Sequence, residues 1–251
     1  MKTARTISLF CLLLWPFAGN GQDKHYHQTD FTPAEFAARR AQVYDAIGPN
    51  AIALVQGAAG RAGFSVFRQS NECYYLSGVE AAHAYLLLNG RTRKATLYLP
   101  HRDEGMEAGQ GKVLSAEDAA LVTQLTGIEQ VRGFEFLSAD LLGGDLIRPP
   151  AMTLYTPLSP AETGNDSRDE LLAGQARAAS DPWDGQPSRE GYFVQLLHQR
   201  FPQFEIRDLS PTLDAMRTIK STREIELIRR ATKLAGLGIM EAMRSTAPGV
   251  Y

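Results

Sequence analysis

Two short apolar runs within residues 64–111 constrain the fold of this chain more than any other feature. Ala84–Leu88 and Ala95–Leu99 are rich in apolar, β-branched and aromatic residues, and Asn89-Gly90 follows the first run. Since Asn-Gly favours a tight reversal between strands, the two runs predict a β-hairpin with a somewhat long loop. Pro100 ends the second strand because proline has no amide hydrogen to donate to the ladder.

A compact block precedes this hairpin: Phe67-Arg68-Gln69-Ser70-Asn71-Glu72-Cys73-Tyr74-Tyr75-Leu76-Ser77-Gly78. Its aromatic pair and closing glycine predict the edge of another strand. Cys73 lies among large apolar residues, which predicts a buried structural thiol. We expect one mixed sheet whose core contains Phe67, Tyr75, Leu76, Leu86, Leu88, Leu97 and Leu99.

Helix signals and strand signals alternate along the rest of the chain, which predicts an α/β fold with helices on both faces of the sheet, a three-layer arrangement. Helices are predicted to begin at Thr32, Ser115, Ser138, Ser188, Ser210 and Ser221. Glu35 and Glu224 are predicted to complete capping boxes with Thr32 and Ser221. Further strands are predicted at residues 51–55, 128–131, 152–155 and 204–209.

Residues 159–189 are rich in Ser, Gly, Pro and acidic side chains, so they predict a long exposed excursion. We expect one helical turn near residues 170–179, and we expect Trp183 to anchor the excursion on the domain.

The amino terminus resembles a secretory signal. Lys2 and Arg5 precede a short apolar run, Ile7–Trp15, and Gly19-Asn20-Gly21 supplies small residues for cleavage. We therefore predict a signal peptide at residues 1–21 and a secreted or periplasmic protein with no membrane contact after cleavage. An uncleaved anchor is the alternative. Residues 22–31 are predicted to be a disordered leader.

Composition argues against nucleic acid as a partner. The formal net charge is −2, and no run of Lys and Arg is interleaved with aromatic residues.

Four groups of residues contain potential ligands: His25 with His27, the glycine-rich loop 57–63, the loop His101-Arg102-Asp103-Glu104, and the acids Asp166, Asp169, Glu170, Asp181 and Asp184. None has the spacing of a metal or phosphate motif. Solvated side chains are the better interpretation of each, and the glycine-rich segment is predicted to be a mobile loop. The sequence therefore assigns no catalytic, cofactor-binding or metal-binding residue.

Two motifs carry a family resemblance. The first motif consists of the block FRQ…YYLSG, the hairpin and the run LYLPHRDEGMEAGQG, and the second is the run Arg217–Ile225 (R-x-x-K-S-x-x-E-I). Both resemble Xaa-Pro aminopeptidases of the creatinase/prolidase "pita-bread" superfamily. Arg39 and Arg40 match a paired arginine common in the first helix of that family, and a solvated basic face is the alternative interpretation. Gly109 stands where the family usually has Trp, in a loop that contributes to a neighbouring subunit's substrate site.

The resemblance implies a ribonuclease H-like N-terminal domain over residues 32–210. Residues 211–251 would then be a linker and the first helix of a truncated catalytic domain. Relatives bind two metal ions, expected to be manganese, through two Asp, one His and two Glu that follow this helix. We therefore expect a fragment or a truncated gene product that is inactive alone.

For the complete protein, the resemblance implies a homo-oligomer that acts on peptides with proline in the second position. Three alternatives stay open: a non-catalytic binding or oligomerisation module, prolidase-type dipeptide cleavage, and creatinase-type hydrolysis.

Overall fold

The structure is a computed structural model that describes residues 25–60, 67–143, 153–162, 167–183 and 185–249. The predicted signal peptide at residues 1–21 lies outside this part of the chain. Among the described helices, none combines the length and the apolar character needed to span a membrane.

The described residues contain a six-stranded mixed sheet. Its strands are β1 (Ala51–Gln56), β2 (Tyr85–Asn89), β3 (Lys94–Leu99), β4 (Gln130–Gly133), β5 (Thr153–Thr156) and β6 (Glu205–Asp208). They lie in the order β4-β3-β2-β1-β5-β6. β2 is antiparallel to both β1 and β3, and the other neighbouring pairs are parallel. The predicted hairpin is confirmed, with Asn89 opposite Lys94.

Nine α-helices are described: α1 (Pro33–Ile47), α2 (Asn71–Ser77), α3 (Glu104–Gln110), α4 (Ala119–Thr126), α5 (Leu137–Leu142), α6 (Arg168–Ser180), α7 (Arg189–Arg200), α8 (Ser210–Thr218) and α9 (Thr222–Ser245). Predicted caps are confirmed where side chains bond the first turn: Thr32, Ser188 and Ser221 each accept a backbone amide hydrogen bond.

Side chains alternate between the two faces of the sheet, and each face has its own apolar cluster. Leu86, Leu88 and Leu97 pack on one face together with residues of α1, α2, α4 and α8. Leu87 and Tyr98 pack on the other face with residues of α5 and α7. The predicted mixed α/β sheet with helices on both faces is therefore confirmed.

The predicted core is correct in five of its seven residues. Leu76, Leu86, Leu88, Leu97 and Leu99 are each fully buried. The prediction is wrong for Phe67 and Tyr75, which are only half-buried.

The block before the hairpin forms helix α2, so the predicted strand edge is wrong. Ser70 caps the helix, and its hydroxyl accepts the amide hydrogen bond of Cys73. Gly78 ends it with φ at 67°, a left-handed conformation that glycine adopts without a Cβ clash. Cys73 is fully buried as predicted, and burial raises the pKa of its thiol to about 12.

Two expectations for the excursion are also wrong. Instead of one helical turn, α6 extends for 13 residues. Ser167 and Glu170 form its capping box, which satisfies exposed amide groups at the helix start. Trp183 does not anchor the segment, since 96% of its surface is exposed.

Candidate functional site at the base of helix α9

The first turn of α9 is fastened to α1 by polar contacts across 186 residues of sequence. The Ser221 hydroxyl donates to Glu35 Oε1 at 2.7 Å. Glu224 completes its predicted capping box with Ser221. Glu35 does not form the predicted box with Thr32; its carboxylate instead pairs with Ser221 and with Arg39, which lies 2.9 Å away.

Arg39 lies at the centre of this contact. Its guanidinium group lies 4.5 Å from the ring centre of Phe31 and 4.3 Å from that of Tyr75. It donates to the Tyr75 carbonyl at 3.1 Å and is 3.4 Å from Glu224 Oε1. A planar guanidinium suits this combination because it can stack on aromatic rings while its edges donate. We call Arg39, Glu35, Ser221 and Glu224 the α9 clamp.

Arg40 is buried as well, so a solvated basic face is the wrong interpretation of the arginine pair. Arg40 donates to the carbonyls of Leu76 and Thr126 at 3.0 and 2.9 Å. Burial lowers the pKa of its guanidinium, partly offset by Tyr44 and Glu129. Arg40 thus joins α1 to the ends of α2 and α4.

A second ionic group holds α8, which leads into α9. Glu72 Oε1 lies 3.2 Å from Arg217 and 3.3 Å from Arg168. Arg217 also contacts Glu162 at 3.1 Å. Burial raises the pKa of Glu72, although both arginines oppose the shift. These contacts bring together residues of α2, α6 and α8 that the sequence did not connect.

Beyond its clamped first turn, α9 has no buried residue. Its large apolar side chains are substantially exposed: Ile225, Ile228, Leu234, Leu237, Ile239, Met240 and Met243. α9 is therefore an amphipathic helix that is fixed at one end and whose apolar face is not covered by the described residues.

The loop that begins at His101 gathers two carboxylates that are distant in sequence. The His101 Nδ1 atom lies 2.5 Å from Glu117 Oε1, and its Nε2 atom lies 3.1 Å from Glu135 Oε1. These hydrogen bonds raise the pKa of His101 and lower that of Glu117 to about 2. All three side chains are exposed, so the group is a surface latch between loops rather than a closed active site.

The other groups considered as ligand sites have ordinary structural surroundings where they are described. Asp181 accepts the amide hydrogen bond of Trp183 at 2.8 Å. His25 and His27 stack with ring centres 5.1 Å apart. Asp166 and Asp184 lie outside the described residues, as do residues 61–63 of the glycine-rich segment. Within the described chain, no group of three or more His, Cys, Asp or Glu side chains could hold a metal ion.

Sequence reasoning missed the role of Gln69. This side chain is buried, accepts from the Ala58 amide at 2.5 Å and donates to the Ala81 carbonyl at 2.7 Å. It fixes the start of the glycine-rich segment, where Gly57 also donates to the Ala84 carbonyl at 2.7 Å. A mobile loop is therefore the wrong interpretation at Gly57 and Ala58. The pattern of apolar residues in the sequence does not reveal that a glutamine side chain is buried and hydrogen-bonded.

Comparison with known proteins shows which family this domain resembles. Residues 36–145 match the family model described as "Aminopeptidase P, N-terminal domain". Residues 36–145 are therefore similar to the N-terminal domain of that family, in agreement with the resemblance noted in the motif around Gln69.

Curated relatives extend this similarity past the matched domain. The chain is 26% identical to the Xaa-Pro aminopeptidase of Haemophilus influenzae over 223 residues, which cover 86% of this chain and 44% of that protein. It is 26% identical, over 87% of its length, to an Aspergillus terreus protein named "Probable Xaa-Pro aminopeptidase", of which 37% is covered. The chain thus spans less than half the length of these relatives.

Solved structures show the same fold. Aminopeptidase P from E. coli with the inhibitor Pro-Leu aligns with a TM-score of 0.60 at 20% identity, covering 88% of this chain and 46% of that one. Proline aminopeptidase P II from Yersinia pestis aligns with a TM-score of 0.58 at 21% identity, covering 88% and 47%.

Proposed function

We propose that this chain is the N-terminal portion of a secreted, metal-dependent Xaa-Pro aminopeptidase. The complete protein would release the first residue from peptides with proline in the second position. The observation that carries the proposal is the aminopeptidase P domain match, continued by similarity to Xaa-Pro aminopeptidases over 86% of the chain. The clamped start of α9 supports it, because the R-x-x-K-S-x-x-E-I motif coincides with the turn that α1 holds.

The metal belongs to the proposal for the complete protein only. Two manganese ions are expected there, but the described residues of this chain do not provide a fitting set of ligands. No chemical step is therefore placed on a residue of this chain, and we propose that the chain alone is inactive. Its roles are to form the N-terminal domain and to fix the direction in which α9 leaves it.

An activity assay with two proteins tests the proposal. Residues 22–251 and the same chain continued through its reading frame are purified and incubated with manganese and an Xaa-Pro-containing peptide. We expect only the longer protein to release the first residue, and a chelator to stop it. Chelator-sensitive turnover by residues 22–251 would refute the inactivity of the chain. A continuation without the two Asp, one His and two Glu would favour a binding module.

The length of the preferred substrate distinguishes the proposed aminopeptidase from the prolidase alternative. An Xaa-Pro dipeptide is offered alongside a longer peptide that begins with the same two residues. Preferential cleavage of the longer peptide supports the aminopeptidase, whereas cleavage restricted to the dipeptide supports a prolidase.

Export and assembly are separate parts of the proposal. Mass spectrometry of the mature protein should find an amino terminus near Gln22, and a major cytoplasmic species that retains Met1 would contradict export. Light scattering of the complete protein should give the mass of a homo-oligomer, and a monomer at all concentrations would contradict assembly.

A further inference from the structure

A small cavity lies beside the carboxyl ends of β1 and β5. Its volume is about 20 Å³, and its lining includes Gln56, Thr156, Glu190 and Phe193 together with Glu72. Gln56 is the last residue of β1, and Thr156 is the last residue of β5. The cavity is thus bordered by the sheet, by α2, by α7 and by residues of the segment that follows β5.

The position of this cavity in the sheet is one that ligands commonly use. After β1, the chain builds β2, β3 and β4 on one side, and β5 and β6 lie on the other side. β1 and β5 are parallel neighbours, and the direction in which strands are added to the sheet reverses between them. In open α/β sheets, ligands bind in the crevice at the carboxyl ends of the strands where the order reverses.

Two buried acceptors in the cavity lining lack partners. Gln56 Oε1 and Glu72 Oε2 are inaccessible and have no hydrogen-bond partner among the described residues. Only 4% of the Glu72 surface is exposed, and its other oxygen, Oε1, is held by Arg168 and Arg217. A buried polar atom without a partner costs about 1–3 kcal/mol, so such atoms are normally satisfied by protein or by a bound group.

The chemistry of the lining defines the ligand. An amide oxygen and a carboxylate oxygen both accept, and the Glu190 carboxylate adds further acceptors. A ligand that contacts both oxygens must donate at least two hydrogen bonds. A cavity needs roughly 10–15 Å³ to hold one water molecule, so this cavity has room for a single non-hydrogen atom.

We propose that this cavity binds one water-sized hydrogen-bond donor, held between Gln56 Oε1 and Glu72 Oε2. Water and the ammonium ion share this chemistry. The bound group would connect the end of β1 to α2, and through Arg168 and Arg217 it would reach the segment that leads into α9. The inference concerns this chain alone and does not rest on the proposed peptidase activity.

A high-resolution crystal structure of the chain tests the site, with one crystal soaked in a thallium(I) salt. We expect a density peak within hydrogen-bond distance of both oxygens. An anomalous signal at that peak after the soak would identify a site for a monovalent cation such as ammonium. A peak without an anomalous signal would identify water. Direct donation from the Gln56 amide to Glu72, or a cavity without density, would overturn the proposal.

Thermal unfolding in solution gives an independent readout. If ammonium is the ligand, ammonium chloride should raise the melting temperature saturably relative to sodium chloride at equal ionic strength. Gln56→Met should remove this difference, because it keeps the side-chain length but removes the acceptor. Gln130→Met, on an exposed strand position, should preserve it. With water as the ligand, both salts should act equally, and the Gln56→Met crystal should lose the peak. A Gln56→Met protein that retains the peak or the ammonium effect would overturn the proposal.

Discussion

Strand β1 of the central sheet and helix α9 both contain large apolar side chains, but they differ in burial. The first five residues of β1 are buried, whereas no residue of α9 is buried. The sequence predicted a strand at residues 51–55 and a helix that begins at Ser221, and both elements are present. The difference teaches that periodicity fixes an element and its apolar face, while burial depends on what lies opposite.

The two regions also differ in how they are held. The sheet is packed on both faces by apolar clusters, and these contacts are spread over many residues. α9 is held through the clamp at its first turn, with further contacts from Arg223 to Asp30. The predictions below compare the sheet and the elements around it with α9.

The largest expected effect comes from truncating a core leucine. Leu97→Ala should lower the free energy of unfolding by about 2–5 kcal/mol, because Leu97 is fully buried on the sheet. Leu237→Ala on α9 should change it by about 0.5 kcal/mol or less, since the residue is half exposed. Urea unfolding measures both. Equal decreases in the free energy of unfolding at the two positions would contradict the described difference in burial.

Two glycines provide a pair with opposite expected signs. Gly78→Ala should destabilise the chain by at least about 1–2 kcal/mol because its backbone is left-handed. The added Cβ would also lie 2.3 Å from the Phe36 ring. Gly236→Ala, with open space around it inside α9, should stabilise the helix by about 0.5–1 kcal/mol. Thermal melts should move in opposite directions; a stabilised Gly78→Ala variant would show that α2 does not end as described.

The smallest expected effect is electrostatic and concerns the exposed latch of His101. The raised pKa of His101 means that its contribution to stability is complete below about pH 6.5 and is lost as the pH rises through the folded-state value. The lowered pKa of Glu117 means that its contribution is present above its ordinary value and is lost as the pH falls towards about 2. Both ionic partners are therefore charged between these limits.

An NMR titration measures this latch directly. We expect His101 to titrate above its ordinary pKa, and Glu117→Gln to lower the pKa of His101. Glu241→Gln, which removes a carboxylate paired with Arg244 on α9, should leave it unchanged. A His101 pKa at or below the ordinary value in the unmodified chain would contradict the described contacts.

Local sequence predicted the elements whose signals lie within a few residues. The hairpin follows from two apolar runs around Asn89-Gly90, and α9 follows from the capping box of Ser221 with Glu224. α2 was mistaken for a strand edge because its tyrosines favour strands, while the Ser70 cap and the left-handed Gly78 decide for a helix.

The candidate site could not be predicted because its contacts join distant parts of the chain. Arg40 is buried only because carbonyls 36 and 86 residues away accept its hydrogen bonds. The partners of Arg39 and of Glu72 likewise lie on other elements. The motif resemblance marked Arg39, Arg40 and Arg217 as notable, but their roles required the fold.

Hydrogen exchange of the chain alone, at a concentration where it is monomeric, gives the most direct test of the claim that, among the described residues, α9 is fixed only at its first turn. Amides in β1 and β2 should exchange slowly, and those of residues 230–245 should exchange much faster, because few tertiary contacts protect them. Arg39→Met should speed exchange at residues 221–226 and leave β2 unchanged. Protection of residues 230–245 equal to that of β2 would contradict the account.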